Sequence, residues 1–252
     1  MAERSEQNTS PETQNGHSCV SLLDVDNTLV DGFTVFTFTS FLLRQKLFRG
    51  QSLVQMQLDM GEYQRGKTDY GDFARNVVEH YSQGLAGLSE KAILIAGENF
   101  LSSYVKHLFP HTKDLIQLMR KQGKTIAVSG APKEAFLPMA RYLGIQESYL
   151  LEAEVKNGIY TGKTKVNMSL DESKKAIVEQ ISARGFNSQQ SFAFGDSNHD
   201  LPILEAVSNP FAVMPNSALE LIAKEKAWPI VNSQNILHHV KQRIADLDPK
   251  HN

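Results

Sequence analysis

Short apolar runs that end in polar clusters recur along this chain of 252 residues. The runs at 20–23, 125–128 and 192–194 are rich in β-branched and aromatic residues, which is typical of buried strands. The polar residues that close them are Asp24 and Asp26, Ser129 and Gly130, and Asp196 and Asp200. Helical patterns separate these runs, so the order predicts an α/β fold with a doubly wound, mainly parallel sheet.

Between the first two runs, residues 33–108 carry helical periodicity and no strand alternation. Apolar residues crowd four segments there: 33–43, 53–60, 70–81 and 90–108. We therefore predict an inserted helical cap domain at 33–108, hereafter the helical insertion. The catalytic α/β core is then 19–32 and 109–252, and the polar segment 1–18 is expected to be a disordered tail.

The rest of the chain continues the α/β pattern. Residues 111–122 and 134–143 predict helices on either side of the second strand, and 211–213 predicts a further parallel strand. Alternating residues around Asn157-Gly158 predict a β-hairpin, because this pair suits a tight turn with positive φ.

Parallel strands direct their carboxyl ends into one crevice, where helix N-termini offer free N–H groups to an anion. We expect the polar clusters to meet there and to act on a phosphoryl group. A site this rich in aspartate would repel phosphate unless a divalent cation intervened, and Mg²⁺ prefers such oxygen ligands. Any one cluster alone would also fit a turn or helix cap, so the prediction depends on their conjunction.

Two adjacent lysines open a predicted helix after the hairpin, and the periodicity distinguishes them. Residues 169–172 read as a capping box, and Ile177, Val178 and Ile181 form the apolar stripe. Lys174 precedes these three by three, four and seven residues, so it lies on the inward face. We assign the phosphate contact to Lys174, with Lys175 as the alternative.

In this order the motifs resemble the haloacid dehalogenase superfamily of phosphatases, whose pattern is DxDxT, then Ser or Thr, then Lys, then an acidic pair. Here it reads Asp24 to Thr28, Ser129, a lysine near 174, and Asp196 with Asp200. The similarity runs from about Val20 to Val231, and its end looks like the phosphoserine-phosphatase-like branch. It implies an α/β core with an inserted cap that closes over the site.

The resemblance also implies a role for each motif residue. Asp24 would be the nucleophile that becomes an aspartyl phosphate, and Asp26 the general acid and base. The Mg²⁺ ligands would be Asp24, the Asp26 carbonyl and Asp196, with Asp200 orienting a bound water or the lysine. Ser129 and the Gly130 N–H would hold phosphate oxygens. Thr28, counted with them as part of the phosphate site, would brace the first loop.

The residues that determine substrate selectivity are expected in the predicted cap. Arg75 lies where phosphoserine phosphatases place an arginine for the substrate carboxylate, although a helical arginine is as often a surface charge. Those enzymes carry a glutamate nine residues after the nucleophile, where this chain has Phe33. A phosphoserine-like substrate is therefore in doubt.

The sequence thus predicts a Mg²⁺-dependent phosphatase that hydrolyses a small-molecule phosphomonoester. A phosphotransferase that uses the same aspartyl phosphate, or a non-catalytic binding module on this fold, stays open as an alternative.

The composition limits the classes of binding partner and the cellular compartment that we expect. A net charge of -2 and a pI near 6.5 give no electrostatic footprint for nucleic acid. The apolar run 35–43 is broken by hydroxyl residues, so no membrane span is expected. The single cysteine, Cys19, fits a reducing compartment, and we expect a cytoplasmic protein. The pattern does not indicate an oligomeric state.

Overall fold

The computed structural model describes residues 19–247 and builds them around one seven-stranded sheet. Its strands are β1 (Val20–Leu23), β2 (Lys124–Pro132), β3 (Glu147–Lys156), β4 (Ile159–Val166), β5 (Phe192–Gly195), β6 (Asn209–Val213) and β7 (Ile230–Val231). The strand order is β4-β3-β2-β1-β5-β6-β7, and only the β3–β4 pair of these neighbours is antiparallel. The predicted α/β fold with a mainly parallel sheet is confirmed.

Strand β1 lies where the winding of the sheet reverses. It pairs with β2 on one side and β5 on the other, and Leu22 lies opposite both Ile126 and Ala193. All four of its residues are buried, as expected for a parallel strand that is covered on both faces. Ligands of such sheets bind beyond the strand ends at this switch point, which is where the chain continues into Asp24.

Helices cover both faces of the sheet. In chain order they are α1 (Thr34–Arg44), α2 (Gly50–Gln64), α3 (Tyr70–Leu85), α4 (Glu90–Tyr104), α5 (Thr112–Gln122), α6 (Lys133–Leu143), α7 (Asp171–Ala183), α8 (Leu201–Leu204), α9 (Ser217–Glu225) and α10 (Ile236–Leu247). Successive side chains of a strand point to opposite faces. Leu23 accordingly joins the apolar cluster beneath α1, α5 and α10, and Leu22 joins the cluster beneath α7, α8 and α9.

The helical insertion contains α1 to α4 and a short 3-10 helix, Val105–His107. These helices coincide with the four segments in which the sequence shows helical periodicity. The division into a cap at 33–108 and a core at 19–32 and 109–252 stays a prediction.

The hairpin predicted at Asn157-Gly158 is confirmed, and it packs against the helical insertion. Strands β3 and β4 flank the pair, whose φ angles are 53° and 75°, as a two-residue turn of this kind requires. The Tyr160 N–H donates to the Leu88 carbonyl at 3.0 Å, and the Glu90 N–H donates to the Gly158 carbonyl at 2.9 Å. The hairpin therefore anchors the loop between α3 and α4.

A second anchor joins the insertion to α6 through Glu134. This buried carboxyl accepts hydrogen bonds from the Tyr81 hydroxyl of α3 at 3.2 Å and the Tyr160 hydroxyl of β4 at 2.8 Å. Gly97 of α4 lies against the same residue, because a Cβ on Gly97 would stand 1.9 Å from the Glu134 carbonyl oxygen. Helices α3 and α4 are thus fixed to the core away from the site.

The predicted disordered tail at 1–18 lies outside the described residues, as do residues 248–252. Within 19–247, no helix is both long and apolar enough to cross a bilayer.

Candidate active site

The loop after β1 carries the two aspartates at the centre of the site. Asp24 directly follows the strand, and its N–H donates to the Phe194 carbonyl of β5 at 3.0 Å. Three residues on, Asn27 adopts a left-handed conformation with φ 60°, and its Oδ1 accepts from the Gly32 N–H at 3.1 Å. The loop therefore turns back on itself and leaves Asp24 and Asp26 lining a cavity.

Lys174 reaches this loop from the first turn of α7. Its Nζ donates to Asp24 Oδ1 at 3.1 Å and to Asp200 Oδ1 at 2.5 Å. Burial by itself lowers the pKa of Lys174, but Asp200 and Asp24 raise it well above its ordinary value, so the ammonium stays charged. Lys175 is exposed. The structure thus places Lys174, rather than Lys175, in the site.

The capping box predicted at the start of this helix is wrong. Helix α7 begins at Asp171, and its N-cap is Leu170, which makes no side-chain hydrogen bond. Ser169 lies one residue earlier, where its hydroxyl faces Gly130: a Cβ on Gly130 would stand 2.1 Å from Ser169 Oγ. The hydroxyl that would have capped the helix is therefore directed into the site, and Ser169 lines the cavity.

Ser129 and Gly130 lie in the carboxyl-terminal half of β2. The pairing of β2 with β3 shifts register between Val128 and Pro132, so the backbone is irregular there. Ser129 is buried, and its Oγ accepts from the Ala131 N–H at 3.3 Å. Both predicted phosphate-binding residues line the cavity.

Asp200 organises the loop after β5. Its Oδ2 accepts from the N–H groups of Asp196 at 3.1 Å and Ser197 at 3.0 Å, and from the Ser197 hydroxyl at 3.1 Å. Its other oxygen accepts from Lys174. A Cβ on Gly195 would stand 2.5 Å from Asp200 Cβ, so this contact requires glycine. Both oxygens of Asp200 have donors, which favours a positioning role over direct metal ligation.

Three carboxylates are close enough to share a cation. Asp24, Asp196 and Asp200 each offer an oxygen within 4.8 Å of the other two. Burial, followed by the charge of Asp200, raises the pKa of Asp24 to about 8, and burial with the charges of Asp200 and Asp24 raises that of Asp196 well above its ordinary value. A divalent cation would offset this repulsion, and an all-oxygen donor set suits a hard ion such as Mg²⁺. The residues present therefore fit such a cation.

Hydrogen bonds from the helical insertion hold the Asp26 side chain in place. Its Oδ1 accepts from the Thr34 N–H at 3.0 Å and from the Thr34 hydroxyl, which in turn contacts the Tyr104 hydroxyl. Burial raises the pKa of Asp26 to about 6, and the bonds from Thr34 offset part of that effect. Thr34 and Tyr104 were not predicted as site residues from the sequence. Their signal is a polar residue at a helix position that the periodicity assigns to the core.

Thr28 does not line the cavity, so the structure does not bring it to the predicted phosphate site. Its side chain is buried, and its hydroxyl has no hydrogen-bond partner among the described residues. Its carbonyl accepts from His111 Nε2 at 3.2 Å, and Ser233 Oγ lies 3.1 Å from His111 Nδ1. Burial lowers the pKa of His111, which favours the neutral ring. Thr28 thus contributes to the loop through its backbone and packing.

Arg75 also lies away from the lining of the cavity. Its side chain is 55% exposed and pairs with Asp72 at 3.0 Å, with Glu172 at 3.9 Å. The structure therefore shows Arg75 as a surface charge on α3, and nothing in its position supports a grip on a substrate carboxylate.

The cavity itself has a volume of about 270 Å³ and lies between the sheet edge and the helical insertion. The core contributes charged and polar groups, namely Asp24, Asp26, Asn27, Ser129, Gly130, Ser169, Lys174, Asp196, Ser197, His199, Asp200 and Asn216. The insertion contributes apolar and aromatic groups, namely Phe33, Val35, Phe36, Tyr63, Tyr70, Phe73, Ala74, Val77 and Val78. One half of the cavity therefore suits an anion and the other an organic group.

Two further polar residues of the lining were not assigned from sequence. Asn216 caps α9 by accepting from the Leu219 N–H at 2.8 Å, and its own N–H donates to the Asp196 carbonyl at 2.8 Å. His199 stacks on Tyr70 with ring centroids 3.6 Å apart, and its Nδ1 lies 2.9 Å from Asp171 Oδ1. Asn216 thus supports the acidic loop, and His199 joins it to the insertion.

Comparison with known proteins agrees with this arrangement. The family model for haloacid dehalogenase-like hydrolases matches residues 22–205, which include all of the clustered aspartates and Lys174. A histidinol-phosphatase of Neisseria meningitidis serogroup C (strain 8013) is 28% identical over 221 residues, covering 84% of this chain and 98% of that protein.

Solved structures share the fold at lower identity. A protein of unknown function from Bordetella pertussis Tohama I superposes with a TM-score of 0.72 at 22% identity, covering 86% of this chain and 99% of that one. A phospho-aspartyl intermediate analogue of phosphoserine phosphatase has a TM-score of 0.62 at 19% identity, covering 90% and 99%. At these identities the likeness shows the fold alone.

The match to the family model covers well over half of the chain, and the predictions of the family and of an enzyme are confirmed. This chain belongs to the haloacid dehalogenase-like hydrolase family.

Proposed function

We propose that this protein is a Mg²⁺-dependent phosphatase that hydrolyses a small-molecule phosphomonoester through an aspartyl phosphate on Asp24. The observation that carries the proposal is the contact of Asp24 with Lys174 at 3.1 Å beside Asp196 and Asp200, at the polar end of a cavity. A relative named as a phosphatase matches along nearly its whole length and supports the same chemistry.

In the first step a carboxylate oxygen of Asp24 attacks phosphorus and the ester P–O bond breaks. Asp26 gives its proton to the departing oxygen, which a carboxyl with a pKa of about 6 can do near neutral pH. In the second step water attacks phosphorus, Asp26 takes a proton from that water, and the bond between phosphorus and Asp24 breaks. The products are an alcohol and inorganic phosphate, and both aspartates return to their starting state.

Charge stabilisation accompanies both steps. Lys174 is buried and charged, so it stabilises negative charge on the phosphoryl oxygens without reorganising. Ser129 and Gly130 line the same cavity, and their hydroxyl and N–H would donate to the same oxygens. Asp24, Asp196 and the Asp26 carbonyl would hold Mg²⁺, which supplies positive charge that lets an acidic site accept a phosphate dianion.

The helical insertion restricts what can enter. The cavity of about 270 Å³ is roofed by α1 and α3, so it accommodates a small ester rather than a phosphorylated segment of a protein or nucleic acid. A substrate that fills the cavity would displace water from it and so strengthen the electrostatic contacts around the phosphoryl group.

The test uses the purified protein with phenyl phosphate and Mg²⁺. Asp24→Asn should lower the rate of phosphate release by at least about 10³-fold, because the amide is not a nucleophile. Asp31→Asn is the matched control, since Asp31 is an exposed carboxylate in the same segment. Thermal melting of both variants checks that the fold is intact.

Two further measurements separate the nucleophile from the metal. With a substrate labelled on phosphorus, acid quenching should leave label on the wild-type protein and none on Asp24→Asn. Chelation should abolish turnover and added MgCl₂ should restore it. Turnover by Asp24→Asn at the wild-type rate would rule out Asp24 as the nucleophile. Full activity after exhaustive chelation would rule out a required Mg²⁺.

A further inference from the structure

The half of the cavity that the helical insertion forms carries no charged side chain among its lining residues. Val77 and Val78 on α3 are buried, and Val35 on α1 is buried as well. The hydroxyls of Tyr63 and Tyr70 are the polar groups that these lining residues add. Every charged group of the lining lies at the opposite, core end.

Aromatic rings form much of this half. Tyr63 and Phe73 stack with centroids 4.7 Å apart, and Phe33 meets Phe36 edge to face at 6.4 Å. Rings arranged this way offer flat apolar faces with little freedom to adjust, which suits an aromatic or other apolar ligand group.

One wall of this half is also fixed to the core. The Tyr70 ring lies on His199 with an angle of 12° between the planes, and Asp171 holds His199 from the other side. Burial, together with the nearby carboxylates, raises the pKa of Tyr70 far above its ordinary value, so its hydroxyl stays neutral. The Tyr70 ring therefore presents an uncharged face to whatever occupies the cavity.

A charged leaving group would have no partner at this end. Arg75, the charged residue of α3 that could have met a carboxylate, lies outside the cavity and pairs with Asp72. A carboxylate placed among these rings would lose its hydration without an ion pair in return, and an ammonium would have only ring faces to offset that loss.

We propose that the substrate is a phosphomonoester of a small alcohol whose organic part is aromatic or apolar and uncharged. This inference rests on the proposed phosphatase function and adds the substrate class. The polar half binds the phosphate, and the half formed by Phe33, Phe36, Tyr63, Tyr70 and Phe73 binds the organic group.

The test compares esters with similar leaving groups, so that intrinsic reactivity does not decide the result. The wild-type protein with Mg²⁺ is assayed on 2-phenylethyl, ethyl and 2-aminoethyl phosphate, together with phosphoserine and histidinol phosphate. We expect kcat/KM for 2-phenylethyl phosphate to exceed that for each other ester by at least about 10-fold. Equal or better turnover of 2-aminoethyl phosphate, phosphoserine or histidinol phosphate would overturn the inference.

A pair of variants on α1 tests the location. Phe36→Ala should lower the ratio of kcat/KM for 2-phenylethyl over ethyl phosphate by about 10-fold, because it removes a ring from the lining. Phe41→Ala is the control, since Phe41 packs on Phe100 at 5.3 Å and does not line the cavity; its ratio should equal the wild-type ratio. An unchanged ratio in Phe36→Ala would contradict the proposed binding half.

The outcomes also separate this inference from the proposed function. If ethyl phosphate is hydrolysed as fast as 2-phenylethyl phosphate while Asp24→Asn is inactive, the proposed substrate class is contradicted and the proposed phosphatase activity is supported. If no ester, phenyl phosphate included, is hydrolysed in a Mg²⁺-dependent way, both the substrate class and the phosphatase function are contradicted.

Discussion

Thr34 donates two hydrogen bonds to Asp26, one from its backbone N–H at 3.0 Å and one from its hydroxyl. Because the hydroxyl gives its proton to Asp26, the Tyr104 hydroxyl that contacts Thr34 donates to it in turn. Thr34 and Tyr104 are both buried and both belong to the helical insertion. The insertion therefore orients the proposed general acid as well as roofing the cavity.

Replacing the Thr34 hydroxyl tests this arrangement. Thr34→Val keeps the shape and the backbone donor but removes the side-chain donor, so Asp26 loses part of its orientation. We expect kcat to fall by about 10-fold, the value of one hydrogen bond to a charged group, with KM changed by less than about 2-fold. Steady-state kinetics on phenyl phosphate measures both constants.

Two controls make that result specific. Thr34→Ser restores the hydroxyl and should recover most of kcat. Thr37→Val removes a hydroxyl from the same helix whose bond goes to the Thr34 carbonyl at 3.0 Å, and it should behave as wild type. If kcat falls as much in Thr34→Ser as in Thr34→Val, packing and not the hydrogen bond is responsible for the loss.

The two adjacent lysines give a second prediction. Lys174→Met removes the buried ammonium that contacts Asp24 and Asp200, so charge on the phosphoryl group is no longer stabilised. We expect kcat/KM to fall by at least about 10²-fold. Lys175→Met, at the exposed neighbour, should stay within about 2-fold of wild type. Comparable losses in the two variants would contradict the assignment to Lys174.

The parts of the site that the sequence predicts are those that regular structure determines. Asp24, Ser129 and Asp196 come together because parallel strands end at one edge of a sheet, and that arrangement follows from strand order alone. Lys174 faces inward because its spacing to the apolar stripe of α7 follows the helical repeat.

Contacts between distant segments were not predictable in this way. Thr34 and Tyr104 are 70 residues apart, and their bond depends on how α1 and α4 cross. The capping box failed for a similar reason, because the Ser169 hydroxyl meets Gly130 of another loop instead of its own helix. The position of the Arg75 side chain depends on which face of α3 is turned toward the cavity. A local sequence motif does not specify that face.

A third prediction concerns the anchor between α4 and α6. Gly97→Ala would place a Cβ 1.9 Å from the Glu134 carbonyl oxygen, and a backbone atom cannot move aside as a flexible side chain does. We expect the free energy of unfolding to fall by about 1–3 kcal/mol. Chemical denaturation measures it.

Gly61→Ala in α2 is the matched control, because a Cβ there would meet only the flexible Arg65 guanidinium at 3.2 Å. Alanine suits a helix interior better than glycine, so this variant should gain about 0.5–1 kcal/mol. A stability loss in Gly61→Ala equal to that in Gly97→Ala would argue against the packing explanation.

The last prediction is a pH dependence of stability centred on Glu147. Burial by itself would raise its pKa, but hydrogen bonds from Lys124, Tyr149 and Arg184 lower it to about 2 in the folded protein. The pKa is lower folded than unfolded, so the carboxylate stabilises the fold fully above its unfolded value of about 4.3, and that contribution is lost as the pH falls through about 2. Glu147→Gln should therefore lower Tm at pH 7, and the difference from wild type should shrink steadily from pH 5 toward pH 2. Glu98→Gln, at an exposed ion pair with Arg141, should show little difference at either pH. If the difference in Tm between Glu147→Gln and wild type stays constant over this pH range, the side chain acts through packing and not through its charge.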